Sequence, residues 1–221
     1  MATLLEYACI AAAVYKDENT MQAQLQADGF PNWVVRFWQA GTASNGFQGA
    51  ILENNHEVIC AYKGSKTGVT GKQDWLVNDV QIGLNMIPSQ TSSAAEMVEV
   101  AEAFICGGRG SRTKPLSIVG HSLGGALAQA VGYIRGTPFI TFNAPGMKGN
   151  LSGKYHKAQG GPVAGFNMIL STDPVGNFGR HLGKTERFIK RGPGIAHKMT
   201  AVLGTVRANQ SWAAKMLHQL V

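Results

Sequence analysis

The stretch Val119-Gly-His-Ser-Leu-Gly-Gly125 decides the fold class, because a Gly-x-Ser-x-Gly pentapeptide between a strand and a helix is typical of a nucleophile elbow. Residues 116–119 form a short apolar strand before it, and residues 123–135 carry apolar side chains at helical spacing after it. A sharp turn there lifts one hydroxyl clear of the sheet, and the flanking glycines leave room for the backbone. Ser122 is therefore the candidate nucleophile; the alternative is a tight glycine turn with an idle serine.

Strand-like and helix-like segments alternate along the rest of the chain. This alternation predicts a mostly parallel central sheet with helices on both faces. Together with the elbow, it predicts an α/β-hydrolase fold. With 221 residues, 44% of them apolar, the chain is expected to form a single domain over residues 1–221. Strands are predicted at 57–62, 137–142, 165–171 and 185–190, and helices near the N-terminus, at 92–105 and at 123–135.

The partners of Ser122 follow by elimination, since an α/β-hydrolase has its serine, acid and histidine in that chain order. Only Asp173 and Glu186 carry carboxylates after Ser122. Asp173 comes directly after a predicted strand, where open α/β sheets place functional groups, whereas Glu186 falls inside the next strand.

Three histidines follow Asp173. His181 is only eight residues on, which is too close to hold a further strand, and His218 lies near the C-terminus on a predicted amphipathic helix. His197 leaves room for a strand and a glycine-rich loop, so it is the candidate base.

These residues predict acyl transfer to a serine. His197 would take the proton of Ser122, Asp173 would orient the imidazole, and water would hydrolyse the acyl-enzyme. The N–H of Leu123, the residue after the nucleophile, would be one oxyanion donor. The small pair Gly64-Ser65 follows an early strand, so Ser65 is the second candidate donor.

Composition excludes several other classes of protein. Three scattered cysteines make no disulfide framework or zinc motif, and the proposed chemistry needs no metal and no cofactor. The first residues fit a secretory signal poorly, and no apolar run is long enough for a membrane span. The sequence therefore predicts a protein made in the cytoplasm, with export only by a non-classical route such as a dedicated secretion system.

The positive charge is concentrated in the last third of the chain. Residues 1–145 hold nine Lys/Arg and eleven Asp/Glu, whereas residues 146–221 hold eleven and two. Such a region could contact an anionic membrane, although a solvated face is the simpler interpretation. The absence of interleaved aromatic residues and of a recognition motif argues against nucleic acid.

Several separated blocks resemble the class-three lipases, the fungal triacylglycerol lipase type of α/β-hydrolase. The likeness covers roughly residues 45–205. It is carried by Ala61-Tyr-Lys-Gly-Ser65, Asp74-Trp-Leu76 with Asp79, Gly120–Gly125, Thr141-Phe-Asn-Ala-Pro-Gly146, Asp173-Pro-Val175 and Ala196-His-Lys-Met199.

The resemblance implies the same triad, Ser122, Asp173 and His197, with Ser65 and Leu123 as oxyanion donors. Two positions depart from the pattern: Lys63 replaces the usual arginine, and Asn143 stands where the family usually has glycine. In the fungal lipases the segment after the oxyanion residue forms an amphipathic lid. Residues 66–88 are rich in large apolar side chains and could form such a cover, or they could belong to the core.

The expected function is hydrolysis of a lipid or phospholipid carboxylic ester. A bacterial effector phospholipase delivered by a dedicated secretion system would account for a lipase-like sequence with neither a recognisable secretory signal nor a disulfide pattern. Two alternatives stay open. One is a soluble short-chain esterase or thioesterase, which would prefer monomeric short acyl chains. The other is a non-catalytic binding module on a hydrolase scaffold, since a fold does not dictate a function.

Overall fold

The computed structural model describes residues 2–41, 45–65, 89–105, 114–151, 164–191, 194–209 and 211. Within these ranges seven strands form one sheet, and their spatial order is their order in the chain. The pairings from the third strand to the seventh are parallel, and the first three strands pair antiparallel. The strands are β1 (Val34–Gln39), β2 (Gly49–Glu53), β3 (Val58–Tyr62), β4 (Leu116–His121), β5 (Phe139–Phe142), β6 (Gly165–Leu170) and β7 (Lys184–Phe188).

The helices begin and end at recognisable local signals. The first carries a capping box between Thr3 and Glu6, and the second begins where the Asp17 side chain accepts the N–H of Thr20. The helix after the elbow ends at Gly136, whose φ is +70°. The helices are α1 (Leu4–Ala13), α2 (Glu18–Ala27), α3 (89–100, extended by a π-helical turn at Ala101–Ile105), α4 (Leu123–Arg135), α5 (Lys148–Leu151) and α6 (Met199–Ala208).

Helices cover both faces of the sheet, and the side chains of β3 show how. Ile59 and Ala61 point into the core that contains α1, α2 and α6, whereas Val58, Cys60 and Tyr62 point into the core that contains α3 and α4. Because both faces are buried, the strand reads as a continuous apolar run rather than an alternating one.

The predicted mostly parallel sheet is confirmed. Helix α4 has the predicted bounds, and β3, β5, β6 and β7 lie within two residues of their predicted limits. Strands β1 and β2 and helix α2 were not predicted. The segment 66–88, for which a lid was one hypothesis, and the predicted helix around His218 lie outside the described residues.

Candidate active site

The elbow holds Ser122 between β4 and α4 in a backbone conformation that few L-residues adopt, with φ 56° and ψ −127°. The turn is possible because the flanking glycines are in close contact. A Cβ on Gly120 would overlap the backbone of Gly124, and a Cβ on Gly124 would overlap the carbonyl of Tyr62. Glycine at both positions therefore lets α4 start directly against the ends of β3 and β4.

The side chains of Ser122, His197 and Asp173 meet at the carboxyl ends of the parallel strands. Nε2 of His197 lies 2.8 Å from Oγ of Ser122, and its Nδ1 lies 3.1 Å from both carboxylate oxygens of Asp173. The carboxylate can only accept, so the imidazole proton sits on Nδ1 and leaves Nε2 free to accept from the serine hydroxyl. Asp173 is fully buried, and Ser122 and His197 are 8% and 6% exposed.

The carboxylate of Asp173 is held by the turn that follows β6. The backbone N–H groups of Val175 and Gly176 donate to its two oxygens at 3.3 and 2.9 Å. A Cβ on Gly176 would lie only 2.9 Å from Oδ2, so glycine permits this close approach. These two donors fix the direction in which the carboxylate faces His197.

The competing acid and base candidates have other partners. Glu186 lies on β7 with one carboxylate oxygen 3.4 Å from Nζ of Lys184. Nε2 of His181 donates to the carbonyl of Ala144 at 2.8 Å, and burial lowers the pKa of this imidazole. His218 is outside the described residues.

Two groups are available where an oxyanion would form. Leu123 is the first residue of α4, so its N–H has no intrahelical acceptor. Ser65 lines the same cleft as Ser122. Its neighbour Gly64 packs so tightly against the elbow that a Cβ there would lie 3.1 Å from Cβ of Ser122.

A chain of hydrogen bonds that the sequence did not predict ties these loops together. Nε2–H of His121 donates to the carbonyl of His197 at 2.6 Å, which leaves Nδ1 to accept from the hydroxyl of Tyr15 at 2.8 Å. The same hydroxyl accepts the N–H of Gly64 at 3.2 Å. Each donor in this chain points the same way, from Gly64 in the oxyanion segment to Tyr15, then to His121, and finally to the backbone carbonyl of His197.

The position of His121 keeps its ring neutral. It is 6% exposed, and its ring centroid lies 4.9 Å from that of His197. Burial, with a smaller contribution from His197, lowers the pKa of His121 to about 3. At neutral pH His121 therefore donates one hydrogen bond and accepts another with its neutral ring. The imidazole that contacts the serine hydroxyl is that of His197.

Asn143 joins the acid and base loops with one side chain. It follows β5 with φ +47°, a left-handed conformation that asparagine tolerates better than most residues. Its Oδ1 accepts the N–H of Leu170 at the end of β6, and its Nδ2–H donates to the carbonyl of Ala196, both at 2.8 Å. The departure from glycine at this position thus keeps the backbone conformation and adds a link.

Ser122 opens into a cleft of about 560 Å³ between the C-terminal end of α1, helix α2 and the start of α6. Apolar side chains form part of its wall, among them Ala12, Met199 and Leu203. A cleft of this size accommodates a small-molecule ligand or part of a lipid. Among the residues that the structure describes, no cluster of three His, Cys, Asp or Glu side chains could hold a metal ion.

The fold is that of the lipase-type α/β-hydrolases. MDLA from Penicillium cyclopium, in a point-mutant form, superposes with a TM-score of 0.55 at 14% identity, over 89% of this chain and 83% of that one. The triacylglyceride lipase of Rhizomucor miehei gives 0.53 at 12% identity, over 82% and 77%. At this level of identity the likeness establishes a shared fold.

The family follows from sequence. Residues 6–167 match the phospholipase-like family described as the Tle-like phospholipase domain, and the chain belongs to that family. The extracellular phospholipase A1 of Serratia liquefaciens is 32% identical over 105 residues, which are 48% of this chain and 29% of the relative. The matched region thus spans less than a third of that enzyme's length. Within the described ranges, no helix has the length and apolarity needed to cross a bilayer.

Proposed function

We propose that this protein is a lipase or phospholipase A that cleaves a lipid carboxylic ester through an acyl-enzyme on Ser122. The observation that carries the proposal is the hydrogen-bonded series Ser122 Oγ, His197 and Asp173 at 2.8 and 3.1 Å, in a member of a phospholipase family. A nucleophile, a base and an orienting carboxylate in this arrangement are the components that acyl transfer needs.

The chemistry follows from the protonation states. Nε2 of His197 accepts the hydroxyl proton of Ser122 as Oγ attacks the ester carbonyl, and Asp173 stabilises the imidazolium that forms. The imidazolium then protonates the leaving alcohol, and the acyl group stays on the serine. A water molecule, deprotonated by the same nitrogen, releases the fatty acid and restores the hydroxyl.

The N–H of Leu123 and the backbone or hydroxyl of Ser65 serve as oxyanion donors in this scheme. Support comes from the free N–H at the start of α4 and from the contact of Gly64 with the elbow. Removing one such donor typically costs about 10²- to 10³-fold in kcat. If the hydroxyl of Ser65 is a donor, Ser65→Ala should lower kcat by about this factor. A loss well under tenfold would leave the backbone N–H of Ser65 as the donor.

Active-site labelling tests the reaction class. The folded protein should react with a fluorophosphonate, and labelling should disappear in Ser122→Ala and fall strongly in His197→Gln. Ser117→Ala is the matched control, because Ser117 lies on β4, the strand that leads to Ser122, but bonds to Tyr7 rather than to the site. Folded protein that resists labelling would contradict the proposal and favour a binding module.

A panel of esters tests the substrate class. Phospholipids, triglycerides, monomeric short-chain esters and thioesters are compared, with product identification by mass spectrometry. Higher kcat/KM on long-chain lipids supports a lipid hydrolase, and the released fatty acid and lysolipid identify the bond that is cut. Preference for monomeric short chains would favour the soluble esterase or thioesterase instead.

A peripheral contact with anionic membrane is part of the proposal, since the last third of the chain holds eleven basic and two acidic residues. Hydrolysis of anionic and zwitterionic vesicles is compared at low and high salt. Faster hydrolysis of anionic vesicles that salt suppresses would support the contact, and equal rates without a salt effect would contradict it.

The site of action is proposed to be outside the cell that makes the protein. The support is the relative from Serratia liquefaciens, which is named an extracellular phospholipase. Fractionation of the producing cells with an antibody against the protein tests this. Recovery from the cytoplasmic fraction alone, under conditions where the enzyme is active, would contradict export.

A further inference from the structure

We propose that Lys16 and Lys198 form a phosphate subsite, which receives the phosphodiester of a phospholipid whose ester carbonyl lies at Ser122. This inference rests on the proposed function and names how the same site recognises its substrate. Both lysines line the cleft that contains Ser122 and Ser65.

The two lysines approach the cleft from different walls. Lys198 directly follows His197 and is the residue at which α6 begins. Lys16 directly follows Tyr15, whose hydroxyl contacts the ring of His121 and the N–H of Gly64. Each ammonium group is therefore carried by a residue whose neighbour is held in the active-site hydrogen-bond network.

The charges of the cleft are not balanced. Its single acidic lining residue in the described part of the chain, Asp28, accepts from Arg207 at 3.4 Å and from Gln24 at 3.1 Å. Within the same ranges neither Lys16 nor Lys198 has a carboxylate within ion-pair distance. Two uncompensated cations beside a nucleophile attract an anionic part of the substrate.

The start of α6 adds to the positive potential. The N-cap residue Lys198 makes no side-chain capping bond, and Met199 and Thr200 line the cleft with it. The N-terminus of α6, the positive end of its helix dipole, therefore borders the same cleft as the two lysines.

A phosphodiester fits this arrangement better than a free carboxylate. In a glycerophospholipid the phosphate is separated from the ester carbonyl by a few bonds of glycerol, so both groups enter the cleft together. A fatty acid has its carboxylate at the carbon that Ser122 attacks, so it cannot reach the lysines while its carbonyl is at the serine. Lysine is a common ligand for phosphate as a point charge.

The kinetic test uses monomeric substrates, which removes the effect of a charged membrane surface. Lys16→Gln, Lys198→Gln and the double variant are compared on dihexanoyl phosphatidylcholine below its aggregation concentration and on dihexanoylglycerol. We expect KM for the phospholipid to rise about 3- to 10-fold for each lysine, with kcat little changed and the neutral ester unaffected. Lysine-to-arginine variants should restore the phospholipid KM, because they keep the charge.

Lys184→Gln is the matched control. Lys184 is the first residue of β7, so it lies at the amino end of the parallel strands, whereas the cleft lies at their carboxyl ends. An equal loss on both substrates in the cleft variants would mean that the lysines only support His197 or the fold, and it would overturn the subsite. Unchanged KM for the phospholipid in the double variant would overturn it as well.

A binding experiment separates this inference from the catalytic proposal. Calorimetry on Ser122→Ala measures the affinity for glycerophosphocholine and for hexanoate, with and without the lysine substitutions. Lysine-dependent binding of glycerophosphocholine supports the subsite even if the native protein hydrolyses no ester, in which case only the catalytic proposal fails. Lysine-dependent binding of hexanoate alone would overturn the subsite in favour of product recognition.

Discussion

Replacing Asn143 by glycine keeps the left-handed turn after β5 and removes only the side chain that joins the acid and base loops. The variant leaves the N–H of Leu170 and the carbonyl of Ala196 without their partners at 2.8 Å. Each buried group left unsatisfied costs about 1–3 kcal/mol, and relief of the positive φ returns about 1 kcal/mol. We therefore expect a net loss of about 3 kcal/mol in the free energy of unfolding.

The same substitution should lower reactivity. The carbonyl of Ala196 belongs to the residue before His197, so the loop that carries the base loses a fixed point. A shift of about 1 Å in a reacting group costs on the order of 10²-fold, and we expect the rate of fluorophosphonate labelling at Ser122 to fall by about 10- to 100-fold. The assay pairs urea denaturation with the rate of fluorophosphonate labelling at Ser122, measured well below the unfolding midpoint.

Thr141→Val is the matched control for Asn143→Gly. Thr141 lies two residues earlier on β5 and donates a buried hydrogen bond to Asn167 at 2.7 Å, away from the acid and base loops. It should lose a comparable amount of stability and keep its labelling rate. Equal labelling rates in Asn143→Gly and wild type, or equal losses in both variants, would refute the positioning role.

Three further outcomes follow from the site. Asp173→Asn should lower kcat by about 10⁴-fold, because the amide turns the His197 proton onto Nε2, and a labelling rate near wild type would contradict this tautomer. The pKa of His121 is about 3 in the folded protein and about 6.5 in the unfolded chain, so below pH 6.5 protonation favours the unfolded state. The free energy of unfolding should therefore fall by about 2 kcal/mol from pH 6.5 to 5. Urea titrations at the two pH values should show that His121→Gln removes this part of the pH dependence. Gly120→Ala should cost about 2–3 kcal/mol, or roughly 5–10 °C in melting temperature, because its Cβ meets the Gly124 backbone; an unchanged Tm would show that the elbow can relax.

The elements near the elbow were predictable because their signals are local. Helix α4 starts where the Gly-x-Ser-x-Gly turn requires it and ends at Gly136, which supplies the positive φ of the C-cap. Strands β3 to β6 are apolar runs bounded by turn residues, and burial on both faces makes such runs easy to recognise. The chain order serine, acid, histidine then left two carboxylates as candidates for the acid, and the spacing from Asp173 favoured His197 as the base.

The antiparallel edge and helix α2 gave weaker signals. All six residues of β1 are exposed or half-buried, so it lacks the alternation of buried apolar and exposed polar side chains that marks a strand. Helix α2 buries only Met21 and Leu25, although Asp17 and Thr20 form a capping pair that a closer search for N-caps would find.

The network around the candidate triad could not have been read from the chain. Tyr15 is 106 residues from His121 and stands just after α1, an apolar helix whose residues are mostly buried. Nothing local tells that its hydroxyl will meet the elbow, because that contact depends on how α1 packs against the sheet. The role of the Asn143 side chain is hidden for the same reason, since its partners lie 27 and 53 residues away.

The contact of Tyr15 with His121 and Gly64 has a practical consequence for protein engineering. Helix α1 and the residues after it line the cleft that contains Ser122. Removing the first fifteen residues to aid expression or fusion would therefore remove the hydrogen bonds of Tyr15 that connect Gly64 in the oxyanion segment to His121. A shortened protein that still folds would be a poor template for inhibitor screening. Tags belong at a position that leaves residues 3–16 in place.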